Sequence, residues 1–204
     1  MISALFVEKN GPYFNRPGVD PWDITRDAKQ YYGTNRVIAH PPCERWGRYW
    51  SGGPSARVRR KLGDDQGCFI WALHAVQRCT GVLEHPEGSH AFRQFGLPIP
   101  KRSGGWTDPD RYGGRSCCVA QFWYGHKARK LTWLYGVGIE FKELNCNPVP
   151  VGAGIRLDQG FHSKEHRARA IKTGACQRMS KRQRMLSPEL FVELLISMVQ
   201  DVIL

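Results

Sequence analysis

The chain has 204 residues, and its 30 Lys and Arg against 18 Asp and Glu give a formal net charge of +12. That length suits one domain, or one domain with an appendage, and an apolar fraction of 41% with 24% charged residues excludes wholesale disorder. No apolar run reaches the roughly 20 residues of a membrane span, and residues 1–8 lack the basic start of a signal peptide, so a cytoplasmic location is expected.

In chain order, residues 4–7 predict a short buried strand. Asp23 is placed to cap a helix through 24–31. Val37-Ile38-Ala39 predicts a second buried strand, stopped by His40-Pro41-Pro42. Asp64 or Asp65 caps a helix whose apolar stripe is Phe69, Ala72, Leu73 and Val76. Residues 81–84 predict a third strand, stopped by His85-Pro86. The stretch 95–114, rich in Gly, Pro and Arg, predicts a long loop. Its Gly104-Gly105-Trp106-Thr107 suits a lid or a base-stacking flap, and equally a packing tryptophan. Residues 119–122 and 131–135 predict two strands around a turn at 124–127. Ser187 caps a last helix with Pro188 in first position and Leu190, Leu194, Leu195 and Met198 as its apolar face.

Short apolar strands alternating with helices predict an α/β fold, a mostly parallel sheet with helices on both faces. Seven cysteines (43, 68, 79, 117, 118, 146 and 176) without a Cys-x-x-Cys pair argue against a secreted disulfide framework and against a zinc ribbon. Cys117 and Cys118 point to opposite sides of a strand, so one is expected in the core. His162 and His166 share a helix face but lack a third ligand, and no metal is expected.

The charge is concentrated. From Arg156 to Arg184 nine Lys and Arg face two acids, a local +7 approached through Gly152, Gly154 and Gly160. With a pI of 9.6 this predicts an anionic partner, nucleic acid first, with Arg167, Arg169, Lys172, Lys181, Arg182 and Arg184 along its phosphates. A solvated surface helix is the plainer alternative.

Ligands of parallel sheets bind at the carboxyl ends of the strands. Two such ends carry chemistry here, His40-Pro41-Pro42-Cys43 and Glu84-His85-Pro86, and they are expected to be neighbours. The prolines stiffen a loop that presents the Cys43 thiol as a nucleophile. Arg45 and Arg48 supply cations, and Trp46 and Trp50 supply rings for stacking. The alternative is a buried cysteine with Trp46 in the core. Glu84, closing an apolar strand, suits an acid of raised pKa that hydrogen-bonds a heterocycle; an ordinary cap or surface role is the alternative.

Together these strings resemble cytosine-C5 DNA methyltransferases, which carry Pro-Pro-Cys after one strand and Glu-Asn-Val after the next. The chain is also similar to short bacteriophage and prophage methyltransferase-like proteins. The match lies in Pro41-Pro42-Cys43, Glu84-His85-Pro86-Glu87-Gly88 and the run Gln121-Phe122-Trp123-Tyr124-Gly125-His126 to Lys130-Leu131-Thr132. It spans about residues 4–140. The resemblance implies a truncated Rossmann-like, methyltransferase-type core over 1–145 and a basic extension over 146–204 ending in the amphipathic helix. It implies a transferase that modifies DNA in the bacterial host cytoplasm, with Cys43 attacking C6 of a pyrimidine and Glu84 as its catalytic partner. His40, Pro41, Pro42, Trp46, His85, Gln121, Tyr124, His126 and Lys130 would bind the substrate. The donor it implies is S-adenosylmethionine, with Asp20 and Asp23 as ribose contacts. In place of the family's glycine loop stands Glu8-Lys9-Asn10-Gly11-Pro12-Tyr13. The His40-Pro-Pro-Cys string is also similar to the Asn/Asp-Pro-Pro-aromatic loop of amino-methyltransferases. The alternative function is a catalytically inactive relative that binds nucleic acid or nucleotide and counters host defence.

Overall fold

The computed structural model describes residues 1–52, 60–150, 153, 163–173 and 179–200. Four-residue apolar runs cannot make stable hairpins alone, and here they assemble into one sheet. Its strands are β1 (Ile2–Leu5), β2 (Val19–Trp22), β3 (Arg36–Ala39), β4 (Gly81–Pro86), β5 (Arg115–Ala120) and β6 (Leu131–Val137). The order is β2-β1-β3-β4-β6-β5. β2, β1, β3 and β4 pair in parallel, and β6 runs antiparallel between β4 and β5. The helices are few: α1 (Cys68–Cys79), α2 (His90–Gln94), α3 (Lys164–Lys172), α4 (Lys181–Met185) and α5 (Glu189–Gln200).

The pleat divides the apolar residues between two cores. Leu5, Val37, Ala39, Leu83 and Tyr135 point to one face, where α1 brings Phe69, Leu73 and Val76. Ile2, Ala4, Ile38, Val82 and Leu134 point to the other, where α5 brings Phe191, Leu195 and Met198. Cys117 and Cys118 are both fully buried, one in each core, where one had been expected. β3 and β4 approach so closely that a Cβ at Gly81 would stand 2.0 Å from the Val37 carbonyl oxygen, so only glycine fits there.

Several elements differ from expectation. β1 is Ile2–Leu5, two residues earlier than expected, and a 3-10 turn at Gln121–Tyr124 replaces the end of the strand expected over 119–122. No helix spans 24–31; Asp23 accepts from the Thr25 N–H and hydroxyl instead, and a single 3-10 turn follows at Ala28–Gln30, capped by Asp27. β2 carries Pro21, which its place at the sheet edge tolerates. β5 begins at Arg115, four residues before the predicted start. α1 begins at Cys68 with Gly67, not Asp64 or Asp65, in the cap position; the Asp65 carboxylate lies two residues earlier and accepts from the Gly67 and Phe69 N–H groups. The last helix is no appendage, because α5 fills the second core; its buried stripe includes Phe191 and Val192, and Leu190 is 57% exposed. Among the described residues no helix is long and apolar enough to cross a membrane.

Candidate functional site

The register builds the site. Ala39 pairs with Leu83 on parallel β3 and β4, so the next residue of each strand, His40 and Glu84, stands beside the other. β1 ends level with them, its Leu5 carbonyl accepting the His40 N–H. The chain leaves β1 for β2 on one side, whereas β3 lies on the other, so these ends flank the point where the sheet order reverses. That is the place where open α/β sheets hold ligands. A crevice of about 690 Å³ opens there. Phe6, Val7, Tyr13, Pro41, Pro42 and Met185 form apolar walls, and His40, Cys43, Glu84, Lys130 and Arg184 supply its polar groups. Phe6 holds a left-handed backbone (φ 58°) as the chain turns off β1 into this wall.

Glu84 is the electrostatic centre. Oε2 takes a hydrogen bond from His40 Nδ1 at 3.1 Å, and Oε1 takes one from Gln121 Nε2 at 3.2 Å. Gln121 is itself fixed by Thr132 Oγ1 at 2.9 Å. Burial works to raise the Glu84 carboxyl, but the His40 hydrogen bond and the Lys130 charge outweigh it and bring it down to about 2. The raised acid expected from sequence is therefore a firmly ionised carboxylate. The far side of the imidazole is also engaged, with His40 Nε2 2.8 Å from the Tyr13 hydroxyl. Cys43 is half-buried beside them. Burial, then the Glu84 charge, pushes its thiol above the ordinary value, and Lys130 works in the opposite direction.

The predicted site residues separate into two groups. His40, Pro41, Pro42, Cys43, Glu84 and Lys130 line the crevice, and so does Arg184, reached from the C-terminal segment. Gln121 stands behind Glu84 and orients it. The others serve the fold. Trp46 is buried, donates to Asp65 Oδ2 at 2.8 Å, and packs on Phe69 and Phe95, so its ring has no free face for a base. His85 borders the crevice but is fully buried, against the Phe69 ring and the Ser89 hydroxyl, and burial brings it down to about 4. Tyr124 packs on Phe191 and accepts the Asn145 N–H. His126 is buried in its turn, Nδ1 accepting the Ala128 N–H. Trp106 packs on Phe141 and donates to the Lys142 carbonyl, which settles the flap question in favour of packing.

A second cleft, of about 750 Å³, shares Pro86 and Lys130 with the crevice and adds Arg48, Arg102 and Arg129. Its one carboxylate, Glu87, is 3.0 Å from Arg102 Nε. Arg102 and Arg129 were not singled out in the sequence, because they are scattered through loops and no run marks them. Nor does the sequence point to Tyr13, which is 27 residues from the histidine it touches. Arg45 is half-buried and lines neither cavity. Arg169 and Lys172 lie on α3 facing solvent. The side chains of Arg167, Lys181 and Arg182, the glycines at 152, 154 and 160, Arg156 and His162 lie outside the described residues. Among the described residues no cluster of three His, Cys, Asp or Glu side chains is arranged to hold a metal.

Asp20 accepts from Trp22 Nε1 at 2.8 Å and is ion-paired with Arg26, and Asp23 closes its own turn with Thr25. No helix follows β1, so no helix N-terminus is aimed at a donor there. These residues do not fit S-adenosylmethionine. Compared with family models, curated proteins and solved structures, the chain matches none of them.

Proposed function

We propose that this chain is a methyltransferase-like protein that takes a pyrimidine base of a nucleic acid, DNA foremost, into the crevice for chemistry begun by Cys43. The observation that carries this is the meeting of Cys43, Glu84 and His40 in one apolar-walled crevice at the reversal of the sheet. The strand order adds support. β2-β1-β3-β4 follows the 2-1-4-5 portion of the doubly wound order 3-2-1-4-5-6, with the third strand absent. The neighbouring basic cleft suits the phosphates of the strand that delivers the base. The base must come from a single strand, from a flipped nucleotide or as a free nucleotide.

The step assigned to Cys43 is addition. The sulfur loses its proton and bonds to ring C6, C5 takes up a proton, and Glu84 holds the polar edge of the ring. The reverse removes either hydrogen from C5. In D₂O the protein is therefore expected to place deuterium at C5 of a pyrimidine in a single-stranded oligonucleotide, read by nucleoside mass spectrometry. Cys43→Ala is expected to abolish it. No exchange with any pyrimidine would sink the addition.

A second reading, a binding protein without covalent chemistry, is favoured by the engagement of Asp20 and Asp23 within the protein. On that reading oligonucleotide affinity survives Cys43→Ala and no exchange occurs.

A further inference from the structure

We infer that Tyr13 is a positioning residue: its hydroxyl clamps the His40 imidazole so that Nδ1–H is delivered to Glu84 and the carboxylate is held in one orientation. The inference deepens the reading above, on which Glu84 holds the polar edge of the bound ring, and it rests on that reading for its effect on rate.

The direction of each hydrogen bond follows from chemistry. An ionised carboxylate only accepts, so the 3.1 Å contact has His40 Nδ1–H donating to Glu84 Oε2. That places the imidazole proton on Nδ1 and leaves a lone pair on Nε2. The Tyr13 hydroxyl, 2.8 Å from Nε2, is then the donor. On the other oxygen, Gln121 Nε2 donates to Glu84 Oε1 at 3.2 Å and uses its second hydrogen on Thr132 Oγ1 at 2.9 Å. Thr132, Gln121, Glu84, His40 and Tyr13 thus form one chain, with the carboxylate in the middle and a donor on each of its oxygens.

The two ends of this chain are not equally secure without help. Gln121 is fully buried and anchored by Thr132 on β6. His40 lies just past the end of β3, and an imidazole held at Nδ1 alone can swing away from its acceptor or carry its proton on Nε2 instead. A phenol donating to Nε2 opposes both. It stands at the opposite end of the ring from Glu84, and it is itself fixed, because Tyr13 is 2% exposed and belongs to the core that α5 covers. The Tyr13 and His40 rings also pack at 5.4 Å between centroids. With the His40 and Glu84 side chains only 12% and 11% exposed, a polar atom displaced from this chain finds little water to replace its partner.

The product of the clamp is a carboxylate fixed in charge and in direction. Burial opposes the charge on Glu84, and the His40 hydrogen bond is the largest influence that holds it. The lone pairs that His40 and Gln121 leave unused are available to the ring in the crevice, which Glu84 lines. A carboxylate free to turn would meet that ring in several registers, and a fixed one meets it in one. Tyr13 acts here through His40, and no proton leaves its oxygen. Burial, then the Glu84 charge, push the Tyr13 hydroxyl well above its ordinary value, which keeps it a donor. Tyr13 and its neighbour Pro12 also line the crevice, so the loop between β1 and β2 is tied to the carboxylate it faces.

The test has one arm without nucleic acid and one with it. Nitrogen-15 NMR of the imidazoles in the full chain reports which ring nitrogen carries the proton, and the His40 signals are identified by their loss in His40→Asn. The protein is expected to show His40 as a single species protonated on Nδ1. Tyr13→Phe keeps the ring and removes only the oxygen, and it is expected to turn that signal into a mixture of Nδ1 and Nε2 forms. A purely packing role for Tyr13 would leave the signal unchanged. In the second arm, Tyr13→Phe is expected to slow deuterium exchange into a single-stranded oligonucleotide about tenfold in kcat, with KM altered less than about twofold. A His40 proton on Nε2 in the unaltered protein, an unchanged signal in Tyr13→Phe, or an unchanged kcat would each overturn the inference. Absence of exchange in the unaltered protein, with the NMR response as expected, would instead count against the pyrimidine chemistry and leave the clamp standing, so the two ideas fail separately.

Discussion

At the scale of single residues, burial decides which ionisable groups act and which only pack. His85 and Glu84 are adjacent on β4, and both are held below their ordinary values for different reasons. Burial alone lowers His85, from 6.5 to about 4, so the folded protein keeps the ring neutral. Above pH 6.5 the ring is neutral in both states and costs nothing. As pH falls from 6.5 toward 4 the unfolded chain binds the proton first, and stability is lost. Glu84 is lowered from 4.5 to about 2 in spite of its burial. Its contribution is complete above about pH 4.5 and is lost as pH falls toward 2. Each group is worth about 3 kcal/mol over its full range. Urea unfolding midpoints are therefore expected to decline from pH 6.5 downward, in two successive stages. His85→Gln is expected to make the stage below pH 6.5 shallower, leaving the part due to His126, which burial also lowers, and to leave the lower stage unchanged. A variant that keeps the upper slope would show that the charging of another group causes it. The same distinction explains how much of the site the sequence revealed. Cys43 and Glu84 were legible because each follows an apolar run and adjoins prolines, at the side of the sheet where topology puts ligands; β4 itself runs on through His85 to Pro86, past the expected stop. Trp46, Tyr124 and His126 were not, since residue type alone does not tell a ring that meets a base from one that meets Phe69 or Phe191.

At the scale of elements, what was legible depended on whether a pattern had one solution. The apolar runs of β3 and β4 have only one way to lie, and their register delivers His40 to Glu84. β2 is half-buried throughout and contains Pro21, so neither alternation nor apolarity marks it. α5 posed the opposite problem. Apolar residues occupy nearly every position from 190 to 199, so two overlapping stripes fit a period of 3.6. The sheet selects the stripe through Phe191, Leu195 and Met198, because Glu189 and Glu193 turn outward to Arg16. Phe191→Ala is thus expected to cost about 3–5 kcal/mol. Leu190→Ala, at a position mostly in water, is expected to cost under about 0.5 kcal/mol. Chemical denaturation of the two variants checks this, and equal losses would mean that the helix docks on the other stripe.

At the scale of the molecule, the excess positive charge is useful only where it surrounds a ligand. Four cations, Arg48, Arg102, Arg129 and Lys130, converge on the cleft that adjoins the crevice, against the single carboxylate of Glu87. Arg169 and Lys172 on α3 belong to the richest basic run, but they face solvent and line neither cavity. Sequence density and spatial convergence therefore name different cations as the phosphate contacts, and salt dependence separates them. Each phosphate neutralised on a single strand contributes about −0.7 to the slope of log affinity against log salt, so a cleft engaging three or four gives about −2 to −3. Binding of a fluorescent single-stranded oligonucleotide, measured by anisotropy between 50 and 200 mM salt, is expected to follow that slope. Arg129→Ala is expected to make it shallower by about 0.7, and Arg102→Ala by less, because its guanidinium is shared with Glu87. Lys172→Ala is expected to leave it in place. If the α3 variant changes the slope and the cleft variants do not, the strand runs along the basic segment, and the base must enter the crevice past Arg184 instead of past Lys130.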